Sequence, residues 1–289
     1  MEVSQEKKSR LGLIGSMCIF GTIGILRRYM DLPSSVIALV RGVVGVAFLL
    51  CLVGLTGKKM SRSALRKNLG ILLLSGAFIG FNWILLFEAY CYTSVATATL
   101  SYYMAPILVV LASPLVLGEK LTGKKLLCVG AALVGMVLVS GVLRAGFTGM
   151  GELRGVALGL GAAVLYASVI LLNKRLGEIS AYDKTIVQLA AAAVVLLPYT
   201  LLTEDVAALS VESLTMVLLA VAGVVHTGAA YALYFGSMKA LPAQTVALYS
   251  YIDPILAVIL SAVLLREPMT AEGLVGAALI LGAAYVSER

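Results

Sequence analysis

Charged side chains are scarce in this chain. Asp, Glu, Lys and Arg together make up 13% of its 289 residues, whereas hydrophobic residues make up 61%. A soluble domain of this length would carry roughly a quarter charged residues. Together with a mean hydropathy of +1.02, this scarcity excludes an ordinary soluble domain and indicates a polytopic membrane protein.

The residue patterns of enzymes, metal sites and disulfide scaffolds are also missing. None of the 4 cysteines belongs to a Cys-x-x-Cys pair, so the sequence signals neither a metal site nor a disulfide framework. It contains no nucleophile paired with a base, no acids clustered at metal spacing and no nucleotide-binding loop. We therefore expect no enzymatic activity and no cofactor, and we expect an ion gradient or the substrate gradient to supply any energy.

The chain instead contains long apolar runs. A membrane-spanning helix needs about 20 mainly apolar residues, and the sequence holds ten candidate spans. They lie at about 11–30, 33–55, 69–90, 95–117, 124–142, 155–174, 183–202, 214–236, 243–265 and 271–287. The sequence therefore predicts an all-α polytopic membrane protein with ten transmembrane helices, the first being a retained span and not a signal peptide.

One segment of the chain occurs twice. Tyr-Met-Ala-Pro-Ile-Leu begins at Tyr103 and Tyr-Ile-Asp-Pro-Ile-Leu begins at Tyr251, an offset of 148 residues, and this register continues for about sixty positions. Because the two copies lie five predicted spans apart, an odd number, the second copy is expected to lie inverted in the membrane. This predicts a first five-helix repeat over residues 1–148 and a second, inverted five-helix repeat over residues 149–289.

The distribution of lysine and arginine predicts the orientation. With the N-terminus inside, the inner segments carry 16 of the 22 basic residues, the outer segments carry 5, and Arg41 lies within a span. This bias predicts a multi-pass protein of the cell membrane with both termini in the cytoplasm. The formal net charge of +7 then belongs mainly to cytoplasmic loops, and no nucleic-acid partner is expected.

These features resemble the drug/metabolite transporter superfamily, specifically its ten-span EamA type. The resemblance covers nearly the whole chain. It rests on the duplicated Pro-Ile-Leu…Glu pattern at 106–119 and 254–267, on Arg41 in the second span, and on Asn82-Trp83 through 94–98. It implies ten helices around a central cavity, with alternating access between the two halves. Members of the superfamily carry amino acids, nucleotide precursors, choline-like amines and other metabolites.

Two prolines occupy equivalent positions in the middle of predicted spans four and nine. Pro106 and Pro254 each remove a helical hydrogen bond and free a carbonyl group, on Tyr102 and Ser250 respectively. In a membrane such a carbonyl group must find a partner or line a cavity. We interpret the two prolines as hinges beside a transport pathway; static packing kinks are the alternative.

Three charged residues, Arg41, Glu88 and Asp253, lie inside predicted spans. Central placement of such a residue costs roughly 2.5–3.5 kcal/mol on insertion scales. Each is therefore a candidate for contact with substrate or with a coupling proton, and a structural Arg41–Glu88 ion pair is the alternative. Asp253 stands where the first repeat has Ala105, so the two halves are not chemically equivalent.

A polar stripe is predicted on span nine, where Thr245, Tyr249 and Asp253 are spaced to share one helical face. We expect this face to line the cavity; hydrogen bonding between helices is the alternative. Aromatic residues deep in the spans can stack on flat substrates or cage a cation, although simple packing is the alternative. The candidate substrate-binding residues are Arg41, Asn82, Trp83, Glu88, Tyr103, Tyr166, Tyr231, Tyr249 and Asp253.

Other residues are expected to serve packing and capping. Gly76-x-x-x-Gly80 and Gly155-x-x-x-Gly159 permit close helix contact, which we expect within one chain. His226, the only histidine, is interpreted as a hydrogen-bonded packing residue. The residues expected to cap or link helices are Thr122, Thr270, Glu119 and Glu267.

The leading interpretation is a secondary active transporter of a small polar metabolite. An acid among aromatic rings suits an amine, and an arginine adds a planar fork for a carboxylate, which favours an amino acid or related zwitterion. Choline-like or other organic cations are the second substrate class, and a passive channel is the alternative function. The expected partners are a small-molecule substrate, the lipid bilayer and, where transport is ion-coupled, a proton. No metal site is expected, and a monomer is favoured over a dimer.

Overall fold

The computed structural model describes residues 2–57, 59–93, 95–140, 150–264 and 271–288, and within these ranges the fold is helical without a strand. The α-helices are α1 Glu2–Gly21, α2 Ile23–Arg28, α3 Ser34–Leu55, α4 Arg62–Tyr92, α5 Val95–Tyr102, α6 Ala105–Leu117, α7 Gly123–Ser140, α8 Met150–Lys174, α9 Ala181–Thr203, α10 Ser213–Val221, α11 Ala230–Met238, α12 Ala243–Tyr249, α13 Ile252–Leu264 and α14 Ala271–Glu288. A π-helix, Ala222–Ala229, joins α10 to α11, and a short 3-10 helix spans Val206–Ala208.

Helices occupy all the predicted spans within the described ranges. Six segments are long and apolar enough to cross a membrane, and they fit a multi-pass membrane protein. These segments are Ser34–Leu55, Arg62–Tyr92, Leu100–Leu117, Leu153–Lys174, Ala181–Thr203 and Ser213–Met238. The total of ten spans stays a prediction.

In predicted spans four and nine, a two-residue turn separates two α-helices. α5 ends at Tyr102 and α6 begins at Ala105, while α12 ends at Tyr249 and α13 begins at Ile252. Each break immediately precedes a duplicated proline, which therefore lies in the first turn of the second helix. Proline is well tolerated there because the N–H groups of the first turn have no helical partner.

The helices pack in matched pairs that follow the duplication. In the predicted repeat, α4 corresponds to the run from α10 to α11, and α1 corresponds to α8. The packing of α4 against α8 has its counterpart in the packing of α1 against α11. Helices α7 and α14, also equivalent, run antiparallel, since Lys124 and Val286 line one groove while Gly135 lies against Gly276 and Ile280. This pattern fits an inverted repeat.

The paired glycines allow helices of the same chain to approach closely, as predicted. A Cβ atom added to Gly76 would lie 2.5 Å from the Gln188 carbonyl oxygen of α9, and one added to Gly80 would lie 2.9 Å from the Ala192 carbonyl oxygen. Such distances are too short for a side chain, so glycine is required where α4 crosses α9. The second pair is equally close to other parts of the chain, with Gly155 against Thr93 and Gly159 against Ser101.

Two predicted caps are confirmed in the connection between α6 and α7. Gly118 terminates α6 in the left-handed conformation, with φ of 70°, which turns the chain so that Glu119 points back at the bundle. The Glu119 carboxylate accepts hydrogen bonds from the backbone N–H groups of Ala243 (2.7 Å) and Gln244 (3.3 Å), at the start of α12. The Thr122 hydroxyl accepts the Lys125 N–H at 3.3 Å. Glu267 and Thr270, the other two residues predicted to cap or link helices, lie outside the described residues.

Candidate functional site

A cavity of about 280 Å³ lies among α3, α4, α8, the run from α10 to α11 and the two helix breaks. Its lining is mainly aromatic, with a single arginine and a single carboxylate. The lining residues are Phe20, Ile23, Arg41, Trp83, Leu86, Phe87, Tyr90, Tyr102, Tyr103, Tyr166, His226, Tyr231, Tyr234 and Asp253. An aromatic cavity with a few convergent polar groups is a typical small-molecule site.

The two broken helices meet at this cavity through equivalent residues. The Tyr103 hydroxyl donates a hydrogen bond of 3.2 Å to the Asp253 carboxylate, and the Tyr251 hydroxyl donates one of 3.1 Å to the Tyr103 carbonyl oxygen. A carbonyl exposed by a helix break must be satisfied inside a membrane protein, and here the other repeat supplies the donor. The two breaks are thus hydrogen-bonded to each other.

Arg41 extends from α3 into the cavity and lies over the ring of Trp83, with its guanidinium carbon 4.4 Å from the ring centroid. Its buried Nε atom has no hydrogen-bond partner. Arg41 and Asp253 line the same cavity, but neither forms an ion pair with any residue in the described part of the chain. A buried charge without a counterion is costly, so both groups retain capacity to bind a ligand of opposite charge.

Tyrosines form the wall of the cavity. The hydroxyl groups of Tyr166 and Tyr234 share a hydrogen bond of 2.8 Å, and Tyr166 stacks on Tyr102 with ring centroids 5.6 Å apart. Phe20 and Trp83 contact Tyr231 edge-on at 5.1 and 6.3 Å. These contacts fix the ring planes, so the wall offers preformed aromatic faces to a ligand.

The structure brings six of the nine predicted substrate-binding residues to the cavity. These are Arg41, Trp83, Tyr103, Tyr166, Tyr231 and Asp253. The polar stripe on span nine does not extend to Asp253 as one face, because the break after Tyr249 separates Thr245 and Tyr249 from it. Tyr249 therefore lies outside the cavity wall.

Asn82 and Glu88 also lie outside the cavity wall. The Asn82 amide donates a hydrogen bond of 2.6 Å to the Ala162 carbonyl oxygen, and the residue lines only a small adjoining pocket of about 20 Å³. Glu88 accepts a 2.5 Å hydrogen bond from the Tyr199 hydroxyl and makes no ion pair with Arg41. The alternative of a structural Arg41–Glu88 pair is therefore wrong, because each residue contacts an aromatic side chain instead.

Several cavity residues were missed from the sequence. Tyr90 lies two helical turns after Trp83, and Tyr234 lies one turn after Tyr231, so helical spacing alone would have placed each on the same face as a predicted residue. Tyr102 directly precedes the break at Tyr103. Extending Trp83 and Tyr231 along their helical faces would have found Tyr90 and Tyr234, whereas Tyr102 shares no helical face with its neighbour Tyr103.

His226 is hydrogen-bonded, as predicted, but it also lines the cavity. Its Nε2 atom lies 2.7 Å from the Thr22 hydroxyl, at the junction of α1 and α2. The histidine belongs to the π-helix, which the sequence did not predict; π-helical turns are frequent at functional sites. Gly223 and Gly228 allow the π-helix to pack closely against Val44 and Phe48 of α3, which lie one turn and two turns after Arg41.

Within the described ranges, no group of three or more His, Cys, Asp or Glu residues could hold a metal ion.

Comparison with proteins of known sequence agrees with this architecture. The chain is 29% identical over 266 residues to the "Uncharacterized transporter YxxF" of Bacillus subtilis (strain 168), with 90% of this chain and 84% of that protein covered. It is 30% identical over 200 residues to an "Uncharacterized transporter" of Archaeoglobus fulgidus, with 68% of each chain covered. A solved crystal structure matches 96% of both chains with a TM-score of 0.86 at 19% identity, which shows a shared fold alone.

The family comparison covers both halves of the molecule. The EamA-like transporter family matches twice, over residues 8–141 and residues 153–288. One match lies within each predicted repeat, and residues of both matched ranges line the cavity. The chain is therefore a transporter of the EamA-like transporter family, within the drug/metabolite transporter superfamily.

Proposed function

We propose that this protein is a secondary active transporter of a small zwitterion, an amino acid or a close relative, working by alternating access. The observation that carries the proposal is the cavity of about 280 Å³ with Arg41 and Asp253 in its wall. The two opposite charges are not paired with each other. A zwitterion carries both complementary charges on one small molecule.

Each charge has a distinct role in this proposal. The guanidinium group of Arg41 binds the substrate carboxylate through its planar fork. The Asp253 carboxylate, which accepts the Tyr103 hydroxyl in this structure, binds the substrate ammonium group in place of that hydroxyl. Aromatic rings around Asp253 also suit a cation, and they favour a choline-like cation as the second candidate substrate class.

The helix breaks supply the moving parts of the mechanism. Broken helices at the middle of a membrane are a common feature of secondary transporters, and they place irregular backbone beside the substrate. Substrate bound to Asp253 competes with the Tyr103 hydroxyl that holds the two breaks together. We expect substrate to shift this contact and thereby favour the opposite-facing state, with Pro106 and Pro254 as hinges. The two halves are inverted, and both termini lie in the cytoplasm of the cell that carries the protein in its membrane.

Trp83 provides a direct test of substrate binding because it is the single tryptophan of the chain and lies under Arg41. Purified protein is titrated with the standard L-amino acids and with choline while tryptophan fluorescence is recorded. We expect at least one amino acid to change the fluorescence. Arg41→Gln and Asp253→Asn should each weaken that binding about tenfold or more, the loss expected for a charged hydrogen bond.

Glu88→Gln is the matched control, since Glu88 is an intramembrane acid outside the cavity, and it should leave the affinity unchanged. Choline binding that survives Arg41→Gln but not Asp253→Asn would favour the cation class. Unchanged affinity in folded Arg41→Gln and Asp253→Asn variants would show that the substrate binds elsewhere.

A further inference from the structure

A second buried cation lies on the other side of the aromatic wall. Lys184, in the first turn of α9, is only 5% exposed. Its ammonium nitrogen lies 5.7 Å from the ring centroid of Phe235. No acidic residue of the described ranges pairs with Lys184 within 4.0 Å. A buried ammonium group without a counterion is strongly unfavourable, and its position near a helix N-terminus adds to the cost.

The acidic groups around the start of α9 and the end of α11 are engaged with other partners. The neighbouring Asp183 accepts the Ser61 N–H at 3.1 Å. Lys239 donates a hydrogen bond to the exposed Glu178 and holds the pKa of that carboxyl below its ordinary value. Glu119 accepts the N–H groups at the start of α12. The charged side chains that act on Lys184 are instead two lysines, Lys174 and Lys239, so Lys184 has no neutralising partner among the described residues.

The end of the molecule near Lys184 is rich in lysine, and we call it the basic end. Lys174 caps the last turn of α11 by donating to the Met238 and Leu241 carbonyl oxygens at 3.0 and 2.6 Å. Lys239 lies at the same helix end, and Lys59 lines a groove of about 660 Å³ together with the first turn of α9. The positive-inside rule predicts that this end faces the cytoplasm.

The second half of the molecule also contains a cation–aromatic contact, at positions one helical turn away from those that correspond to Arg41 and Trp83. The offset of 148 residues relates Trp83 to Tyr231, and Phe235 lies one turn after Tyr231 in α11. Aligning the first residues of α3 and α9 relates Arg41 to Gln188, and Lys184 lies one turn before Gln188. Helix α9 starts at the basic end and α11 ends there. Lys184 therefore lies closer to the basic end than Gln188 does, and Phe235 lies closer to it than Tyr231 does. Each half thus places a cation over an aromatic ring.

The two contacts are joined by a continuous set of rings. Phe235 contacts Tyr231 and Tyr234 with centroids 5.5 and 5.4 Å apart. Tyr231 and Tyr234 line the main cavity, whereas Phe235 lines only the adjoining pocket of about 20 Å³. Tyr234, whose hydroxyl group shares a hydrogen bond with Tyr166, therefore contacts both the cavity and Phe235, the ring next to Lys184.

We infer that Lys184 is the carboxylate-binding residue of the state that opens at the basic end. This inference rests on the proposed function. Arg41 binds the substrate carboxylate in the state described here. When the Tyr166–Tyr234 contact opens, the carboxylate passes along the rings and binds Lys184, whose charge it neutralises. The transporter then holds one cationic site for each face of the membrane.

The test compares Lys184→Met with Lys184→Arg and with Lys67→Met, a matched change at an exposed lysine of the basic end. All are reconstituted in proteoliposomes, and exchange of radiolabelled L-amino acids is measured alongside Trp83 fluorescence and the melting temperature. We expect Lys184→Met to bind with unchanged affinity at the Arg41 site, because Lys184 lies outside the cavity. We expect Lys184→Met to slow exchange about tenfold or more. A tenfold decrease in rate corresponds to an activation free energy that is about 1.4 kcal/mol higher.

Lys184→Arg should restore most of the exchange, and Lys67→Met should behave like the unchanged protein. Lys184→Met should not lower the melting temperature, because an apolar side chain of similar length replaces an uncompensated charge. Full exchange in Lys184→Met, or slow exchange together with a lower melting temperature, would overturn the inference. Absence of any fluorescence response and any exchange in the unchanged protein would overturn the proposed function as well, so the two failures are distinguishable.

Discussion

At the residue scale, the acidic side chains of this protein take three different roles. Glu119 accepts backbone N–H groups at the start of α12, and Glu88 accepts the Tyr199 hydroxyl outside the cavity. Asp253 accepts the Tyr103 hydroxyl and lines the cavity. Position relative to a helix end or break, not residue type, decides which role each acid takes.

Glu119→Ala is predicted to lower the stability of the folded protein. The substitution leaves the first N–H groups of α12 without their acceptor, and loss of a cap costs roughly 1 kcal/mol, up to about 2. The measurement is the melting temperature in detergent. Glu178→Ala, which removes an exposed carboxylate at the same end of the molecule, should change the melting temperature little. Equal melting temperatures for Glu119→Ala and the unchanged protein would contradict the capping role.

At the element scale, the sequence predicts where helices run better than how they are interrupted. Periodic apolar runs gave the spans, and the duplicated prolines marked the two sites of interruption. The full breaks before Pro106 and Pro254 depend on tertiary contacts, since Tyr251 supplies the hydrogen bond that one exposed carbonyl needs. The π-helix has no sequence signature, because its extra residue is stabilised by packing against α3.

The neighbours of the charged side chains were predictable only in part. Arg41 and Glu88 lie at similar predicted depths, which suggested an ion pair. In the structure, Arg41 lies over Trp83 and Glu88 faces Tyr199 of α9. Depth in a span follows from the sequence, but direction around the helix axis depends on which helices pack together, and a single sequence does not reveal that.

Replacing the duplicated prolines by alanine is predicted to reduce transport without loss of stability. In Pro106→Ala and Pro254→Ala the new N–H group can bond to the carbonyl four residues earlier, which favours a continuous helix through the break. We expect melting temperatures that are unchanged or raised and slower amino-acid exchange in each variant. Full exchange in both single variants and in the double variant would contradict a hinge role.

The glycine contact between α4 and α9 gives a second prediction about helix packing. Gly76→Ala should destabilise the protein by roughly 1–3 kcal/mol, because its Cβ atom meets the backbone of α9 and overpacking costs about that much. Gly70→Ala on the same helix is the matched control, since open space surrounds that position. A lower melting temperature is expected for Gly76→Ala alone, and equal values for the two variants would show that α4 and α9 are not held this closely.

At the scale of the whole molecule, two matched halves enclose one cavity whose charges come from different halves. Arg41 belongs to the first repeat and Asp253 to the second, so the proposed zwitterionic substrate would link the halves. The five-span separation of the repeats and the lysine and arginine distribution predict that the halves are inverted and that both termini lie in the cytoplasm. A C-terminal fluorescent fusion should therefore be bright, and a reporter active only outside the cytoplasm should be silent at that position. The opposite pattern would contradict the topology.

Concentrative uptake is the most direct measurement of the central claim. Proteoliposomes are prepared with no amino acid inside, and an inward proton or sodium gradient is imposed across their membrane. The amino acid that changes Trp83 fluorescence most is then added outside. A secondary active transporter should accumulate the amino acid above its external concentration, and collapse of the gradient or Asp253→Asn should abolish the accumulation. Rapid equilibration that never exceeds the external concentration under either gradient would contradict the account and indicate a passive pathway.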